Sequence, residues 1–89
     1  MSLDPDDTSW YVYIVQCCDD SLYTGITTNI EARITQHNRG KGAKYTRSRC
    51  PVTLVYTENS ESRSTALQRE IQIKKMTPQQ KHDLVAGNQ

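Results

Sequence analysis

The run Trp10-Tyr11-Val12-Tyr13-Ile14-Val15-Gln16-Cys17 constrains this chain more than any other segment. It is β-branched and aromatic, and its apolar residues fall on both alternating faces instead of one. A strand of that kind is buried on both sides and is therefore central in its sheet. The 89 residues suffice for one compact domain and are too few for two. A domain of this size has a small core, so any site it carries must share side chains with that core or its rim. The apolar residues, 35% of the chain, cluster in short runs, as expected of a globular chain and not of a disordered one.

The turn cluster Asp19-Asp20-Ser21 separates the first strand from a second over Leu22 to Thr27, which makes a hairpin. Thr28 or Asn29 can cap a helix reaching about Asn38, with Gly40 as its stop, and Gly40 to Arg49 reads as a basic loop. Pro51 precedes a third strand, Val52 to Thr57, and Ser62 to Thr65 offers caps for a helix through Lys75. Thr77-Pro78-Gln79-Gln80 combines an N-cap, proline at the first helical position and glutamine at the capping-box position, opening a last helix that ends near Gly87. The expected fold is α+β, a small three-stranded antiparallel sheet flanked by helices in the order β-β-α-β-α-α. That domain would cover residues 10–86, with 1–9 and 87–89 as tails.

No apolar stretch approaches the roughly 20 residues of a membrane span, and the acidic start (Asp4, Asp6, Asp7) is unlike a secretory signal. The expected compartment is the cytoplasm. Cys17, Cys18 and Cys50 lack the paired spacings of a zinc site and read as free thiols. The net charge of +1 hides a segregation: residues 32–57 hold Arg33, Arg39, Lys41, Lys44, Arg47 and Arg49 with no acid among them. A local block of that kind suits a phosphate backbone, and equally an ordinary solvated loop.

Three further features break a purely structural pattern. Ile30, Arg33, Ile34 and His37 fall on one helical stripe, so Arg33 and His37 lie along or beside the inward face. An inward arginine requires an anion or acceptors, unless its head reaches water over the core. Glu70 projects between Ala66 and Leu67 within an apolar sector completed by Ile71 and Ile73; it calls either for a metal ion or for Lys74 as an i,i+4 partner. The five tyrosines, with no phenylalanine, include Tyr11 and Tyr13 on one face of the first strand and Tyr23 opening the second. Each alone fits packing with a hydroxyl at the rim. Gly25, inside the second strand, signals a bulge or a close backbone approach.

Together these residues resemble the GIY-YIG nuclease family. Tyr11-Val12-Tyr13 and Tyr23-Thr24-Gly25 stand where the two name-giving tripeptides would be, Arg33 follows eight residues after Gly25, and His37 and Glu70 lie on successive helices. The runs Ser21 to Thr28, His37-Asn38 and Gly40 to Arg47 resemble a small, uncharacterised, bacterial stand-alone subfamily. That subfamily is similar to the nuclease domain of structure-specific endonucleases acting on branched DNA. The resemblance covers about residues 10–85. Tyr11 replaces the first glycine of the family's pattern and Asp20 a common turn glycine.

The resemblance implies metal-dependent phosphodiester hydrolysis in DNA. Tyr13 or Tyr23 would orient and deprotonate water, Arg33 would stabilise charge on the phosphate and, with the metal ion, lower the phenol pKa, and His37 would bind phosphate or assist proton transfer. Glu70 would hold one Mg²⁺ or Mn²⁺ ion. Arg39, Lys41, Lys44, Tyr45 and Arg47 would contact the nucleic acid. The rival classes are a non-catalytic nucleic-acid-binding module, a nuclease completed by a partner protein, and a protein-interaction domain. Because side chains alternate along a strand, Tyr13 and Tyr23 share a face only if the hairpin connection holds an odd number of residues, three or five.

Overall fold

The computed structural model describes residues 9–87. Its elements are β1 (Trp10–Gln16), β2 (Leu22–Thr27), α1 (Ile30–Asn38), α2 (Lys44–Arg47), β3 (Thr53–Ser60), α3 (Arg63–Lys74) and α4 (Pro78–Ala86). The three strands form one antiparallel sheet in the order β2-β1-β3, so the doubly apolar strand is central, as its sequence requires. Of the expected tails, residues 1–8 and 88–89 lie outside the described residues.

The alternation of β1 divides the core in two. Val12 and Ile14 join Ala66 and Ile73 of α3, with Leu84 and Val85 of α4 packed against them. Tyr13, Val15 and Cys17 point the other way, into a cluster completed by Val52 and by Ile30 and Ile34 of α1. Helices therefore cover both faces of the sheet, and β1 supplies fully buried residues to each side.

Local chemistry fixes the helix ends. The Asn29 side chain accepts from the Ala32 N–H to cap α1, while Ser62 with Thr65, and Thr77 with Gln80, form reciprocal capping boxes on α3 and α4. Gly40, at φ 74°, takes the left-handed position beyond the end of α1. Asn38 then clamps α1 to the start of β3, since its Oδ1 accepts from Val52 N–H at 2.7 Å and its Nδ2 donates to Val52 O at 3.3 Å.

Three expectations need correction. The third strand is Thr53–Ser60, not Val52 to Thr57, because Glu58, Asn59 and Ser60 continue the ladder opposite Val12, Tyr11 and Trp10. The expected strand stops before these polar residues, but Arg69 Nε–H donates to Glu58 at 2.7 Å and makes the strand position tenable. The basic loop contains α2, a single turn whose Thr46 is fully buried. Finally, Ile71 is outside the apolar sector of α3, at 51% exposed. At about 100° per residue it stands roughly 140° from Ala66, whereas Ile73 returns to within about 20°.

Gly25 faces Tyr13 across the β1–β2 ladder, and a Cβ there would lie 2.5 Å from the Tyr13 hydroxyl and 2.7 Å from the adjoining ring carbon. The tyrosine ring thus occupies the space of the missing side chain. Gly25→Val should cost about 1–3 kcal/mol of unfolding free energy by overpacking, read from urea denaturation. A stability equal to the parent would contradict this placement of the ring.

Candidate active site

The hairpin connection contains five residues, 17–21, and its register sets Val15 opposite Tyr23 and Tyr13 opposite Gly25. Paired residues point to the same side, so Tyr13 and Tyr23 share one face of the sheet. Inside the connection the Cys17 N–H donates to Ser21 O at 2.8 Å and the Asp20 N–H to Cys17 O at 2.9 Å. Asp20 takes φ 69°, the left-handed conformation that glycine usually supplies and that Asp tolerates better than most residues. The absent turn glycine is therefore accommodated without changing the register.

Helix α1 lies on this same face and turns Arg33 and His37 towards Tyr13. Arg33 Nε–H donates to the Tyr13 hydroxyl at 3.3 Å, and that hydroxyl lies 2.8 Å from His37 Nε2. The opposite ring nitrogen, His37 Nδ1, lies 2.7 Å from Thr46 Oγ1. Arg33 also donates to Gln36 at 3.0 Å, one turn along the helix. Tyr13 is 1% exposed, and His37 and Thr46 are fully buried. Thr46 and Gln36 were not among the residues the sequence singled out. Thr46 carries no periodic signal in a loop-like segment, and only the turn of α2 aims it inwards.

Electrostatics in this cluster follow from burial. Loss of solvent pushes the Tyr13 phenol above its ordinary value; Arg33 works against that through its hydrogen bond and charge, while Tyr23 and Glu70 add to the rise. The expected lowering rests on Arg33 and the metal together; against burial, Arg33 alone leaves the phenol raised. His37 is held below the usual histidine value, first by burial and then by the Arg33 charge, which keeps the imidazole neutral.

Tyr23 is half-buried and has no hydrogen-bond partner among the described residues, while its ring meets His37 edge-on at 5.5 Å between centroids. Tyr45 stacks on Tyr23 at 5.9 Å and 19°, and the Arg49 guanidinium sits 4.1 Å from the Tyr45 ring centroid. Arg49 also pairs with Asp19 at 3.0 Å, so this member of the basic block staples the loop to the hairpin turn. Lys41, Lys44, Tyr45, Arg47 and Arg39 are exposed on the same segment.

Glu70 of α3 is half-buried, its side chain 16% exposed, and its Oε2 lies 3.5 Å from Lys74 Nζ. Lys74 in turn reaches past edge strand β2 to within 5.8 Å of the Tyr23 ring centroid. An open cleft of ≈ 350 Å³ is lined here by Leu22, Tyr23, Thr24, Tyr45, Lys74 and Lys81. Lys74 and Lys81 are cations that the sequence reading assigned to no binding surface. Among the described residues no three His, Cys, Asp or Glu side chains converge. One part-buried carboxylate beside a basic cleft fits a hard ion that keeps water and substrate oxygens as its other ligands, and does not fit a closed metal cage.

Comparison with known proteins identifies the family of the domain. The pattern of the GIY-YIG catalytic domain matches residues 9–83. The chain is 56% identical over 85 residues to a UPF0213 protein of Desulfotalea psychrophila, covering 94% of this chain and 77% of that protein. It is 60% identical over 75 residues to one of Staphylococcus haemolyticus, covering 84% and 92%. Solution structures of the UPF0213 protein of Bacillus halodurans (45% identity, TM-score 0.58, 88% and 83% covered) and of a protein of E. faecalis (44%, 0.60, 90% and 86%) have a similar fold. No helix among the described residues is long and apolar enough to cross a membrane.

The buried imidazole makes stability pH-dependent in a definite direction. The unfolded chain protonates His37 near ~6.5 and the folded chain only at lower pH. Between those two values the unfolded state binds more protons, so this contribution to stability falls as the pH falls. NMR titration of the imidazole should place the His37 pKa below the ordinary value. A value at or above it would contradict the dry environment described here.

Proposed function

This chain belongs to the GIY-YIG family, and from that premise we propose that it is a divalent-metal-dependent endonuclease hydrolysing phosphodiester bonds in DNA. The observation that carries the reading is the hydrogen-bonded line Arg33–Tyr13–His37, which lies on the sheet face shared with Tyr23 and beside a basic cleft. A tyrosine packed only for its bulk does not require a neutral histidine on one side of its hydroxyl and a guanidinium on the other.

Each group then has a chemical task. Tyr13 passes its proton to His37 Nε2 as it takes one from the water, so no free phenolate, which burial disfavours, has to accumulate; the Arg33 Nε–H stabilises the charge developing on the Tyr13 oxygen. Tyr23, half-buried at the cleft with an unengaged hydroxyl, orients the attacking water. The water yields its proton to the Tyr13 oxygen as its own oxygen bonds to phosphorus, and the leaving oxygen departs with the P–O electron pair and takes a proton from solvent. His37 later returns its proton through Tyr13 to solvent, so the site ends as it began. Both His37 ring nitrogens are engaged inside the protein, which favours proton transfer over direct phosphate binding. A Mg²⁺ or Mn²⁺ ion held by Glu70 would add positive charge at the phosphate. Lys74, freed from Glu70, and Lys81 would face the backbone from the cleft, while Arg39, Lys41, Lys44, Tyr45 and Arg47 would follow it along the loop.

The test is a cleavage screen over linear, flapped and branched DNA, with RNA controls, against Mg²⁺ or Mn²⁺ concentration for the wild type and Glu70→Gln. The amide keeps the side-chain volume and removes the charge. Divalent-dependent cleavage should be lost in the variant, while its melting temperature changes little, because a helical i,i+4 pair contributes only about 0.2–0.5 kcal/mol. Equal metal dependence in both proteins would contradict the role of Glu70. Salt-dependent binding with no cleavage by the wild type would mark a binding module instead, or a nuclease that acts only with a partner protein.

A further inference from the structure

We propose that Thr46 is a positioning residue that fixes the tautomer of His37, and with it the direction in which the Tyr13 proton moves. Its catalytic consequence rests on the nuclease reading above, whereas the tautomer itself is a property of the resting protein.

The argument counts hydrogens. The Thr46 hydroxyl is fully buried, has one hydrogen to give, and has two close partners: the Ala43 carbonyl at 3.0 Å and His37 Nδ1 at 2.7 Å. A carbonyl oxygen can only accept, so the hydroxyl hydrogen goes to Ala43 and the hydroxyl oxygen must accept from His37 Nδ1–H. A neutral imidazole carries a single N–H, which leaves Nε2 bare. The contact of 2.8 Å between Nε2 and Tyr13 is then an O–H···N bond donated by the tyrosine, and the Tyr13 oxygen accepts from Arg33. Donors and acceptors alternate without conflict from Arg33 through Tyr13, His37 and Thr46 to Ala43.

The opposite tautomer breaks that order. With the Thr46 hydrogen aimed at His37, the hydroxyl and Ala43 oxygens would face each other with lone pairs only. His37 Nε2–H would donate to the Tyr13 oxygen, the phenolic hydrogen would have no acceptor because Arg33 is itself a donor, and His37 could no longer take the phenolic proton. In the proposed arrangement the Tyr13 O–H bond breaks as an Nε2–H bond forms, and the resulting imidazolium keeps its Nδ1–H on the Thr46 oxygen.

The chain around Thr46 is built for that contact. A Cβ at Gly42 would come within 2.8 Å of His37 Cγ and 2.9 Å of its Cα, so only glycine lets this backbone lie over the ring. The Cys50 sulfur lies 2.8 and 3.1 Å from the carbonyl oxygens of His37 and Thr46, and its one hydrogen, shared between them, clasps the two segments together. The segment whose outer side presents Lys41, Lys44, Tyr45 and Arg47 therefore seals and orients the histidine with its inner side.

Long-range ¹H–¹⁵N correlation of the imidazole at neutral pH reads the tautomer directly. Wild type and Thr46→Ser should show a protonated Nδ1 and a bare Nε2, and Thr46→Val should shift towards Nε2–H. Cleavage should fall on the order of 10²-fold in Thr46→Val, with DNA affinity unchanged, and be restored by serine. An Nε2–H tautomer in the wild type overturns the proposal even if the valine variant does not fold. Full cleavage by a folded valine variant overturns it too. Cleavage absent in all three proteins, with tautomers as expected, overturns the catalytic consequence and the reading of this chain as a nuclease that acts alone, while upholding the tautomer assignment.

Discussion

The bond between the Tyr13 hydroxyl and His37 Nε2 joins the central strand to the helix that covers it, and much of the local sequence serves that meeting. Tyr13 lies across the ladder only because Gly25 has no side chain, and His37 lies under the loop only because Gly42 has none. Burying two polar rings is unfavourable unless their atoms are paired. Arg33, Thr46 and the Ala43 carbonyl complete the pairing, and no buried side-chain nitrogen or oxygen among the described residues is left without a partner. One chain of hydrogen bonds thus specifies both a packed interior and a chemical polarity.

The two-sided core explains how so small a domain can hold such a chain. Val12 and Ile14 anchor α3 and α4 on one face, where apolar packing is undisturbed by the polar cluster. The other face can then hold a tyrosine, a histidine and a threonine in its interior, closed by Val15, Cys17, Val52 and two isoleucines of α1. Glu70 and Lys74 come from the helix on the opposite face and meet the site around β2, which is possible because β2 is an edge strand. Sheet order therefore bears on function: with β2 inside the sheet, α3 could not approach Tyr23.

Much of this was legible in the sequence where a residue's environment follows from periodicity or local chemistry. The doubly apolar β1, the odd hairpin connection and the capping box of α4 are such cases. So is the inward stripe of Arg33 and His37. What was not legible depends on contacts distant in sequence. Glu58 falls outside the expected strand until Arg69 is seen to neutralise it, and Thr46 reads as one polar residue in a basic loop until α2 folds over His37. Glu70 stays divided between its two readings, because its pairing with Lys74 is a local contact that a helix makes readily.

The central claim is that the Tyr13 hydroxyl does chemistry and is not present for packing alone. Tyr13→Phe keeps the ring over Gly25 and removes the one oxygen that Arg33 and His37 share. Single-turnover cleavage of DNA by the folded variant, with binding affinity measured in parallel, separates the two roles. The account predicts a rate lower by at least about 10²-fold at unchanged affinity. Cleavage at the wild-type rate by Tyr13→Phe would contradict it.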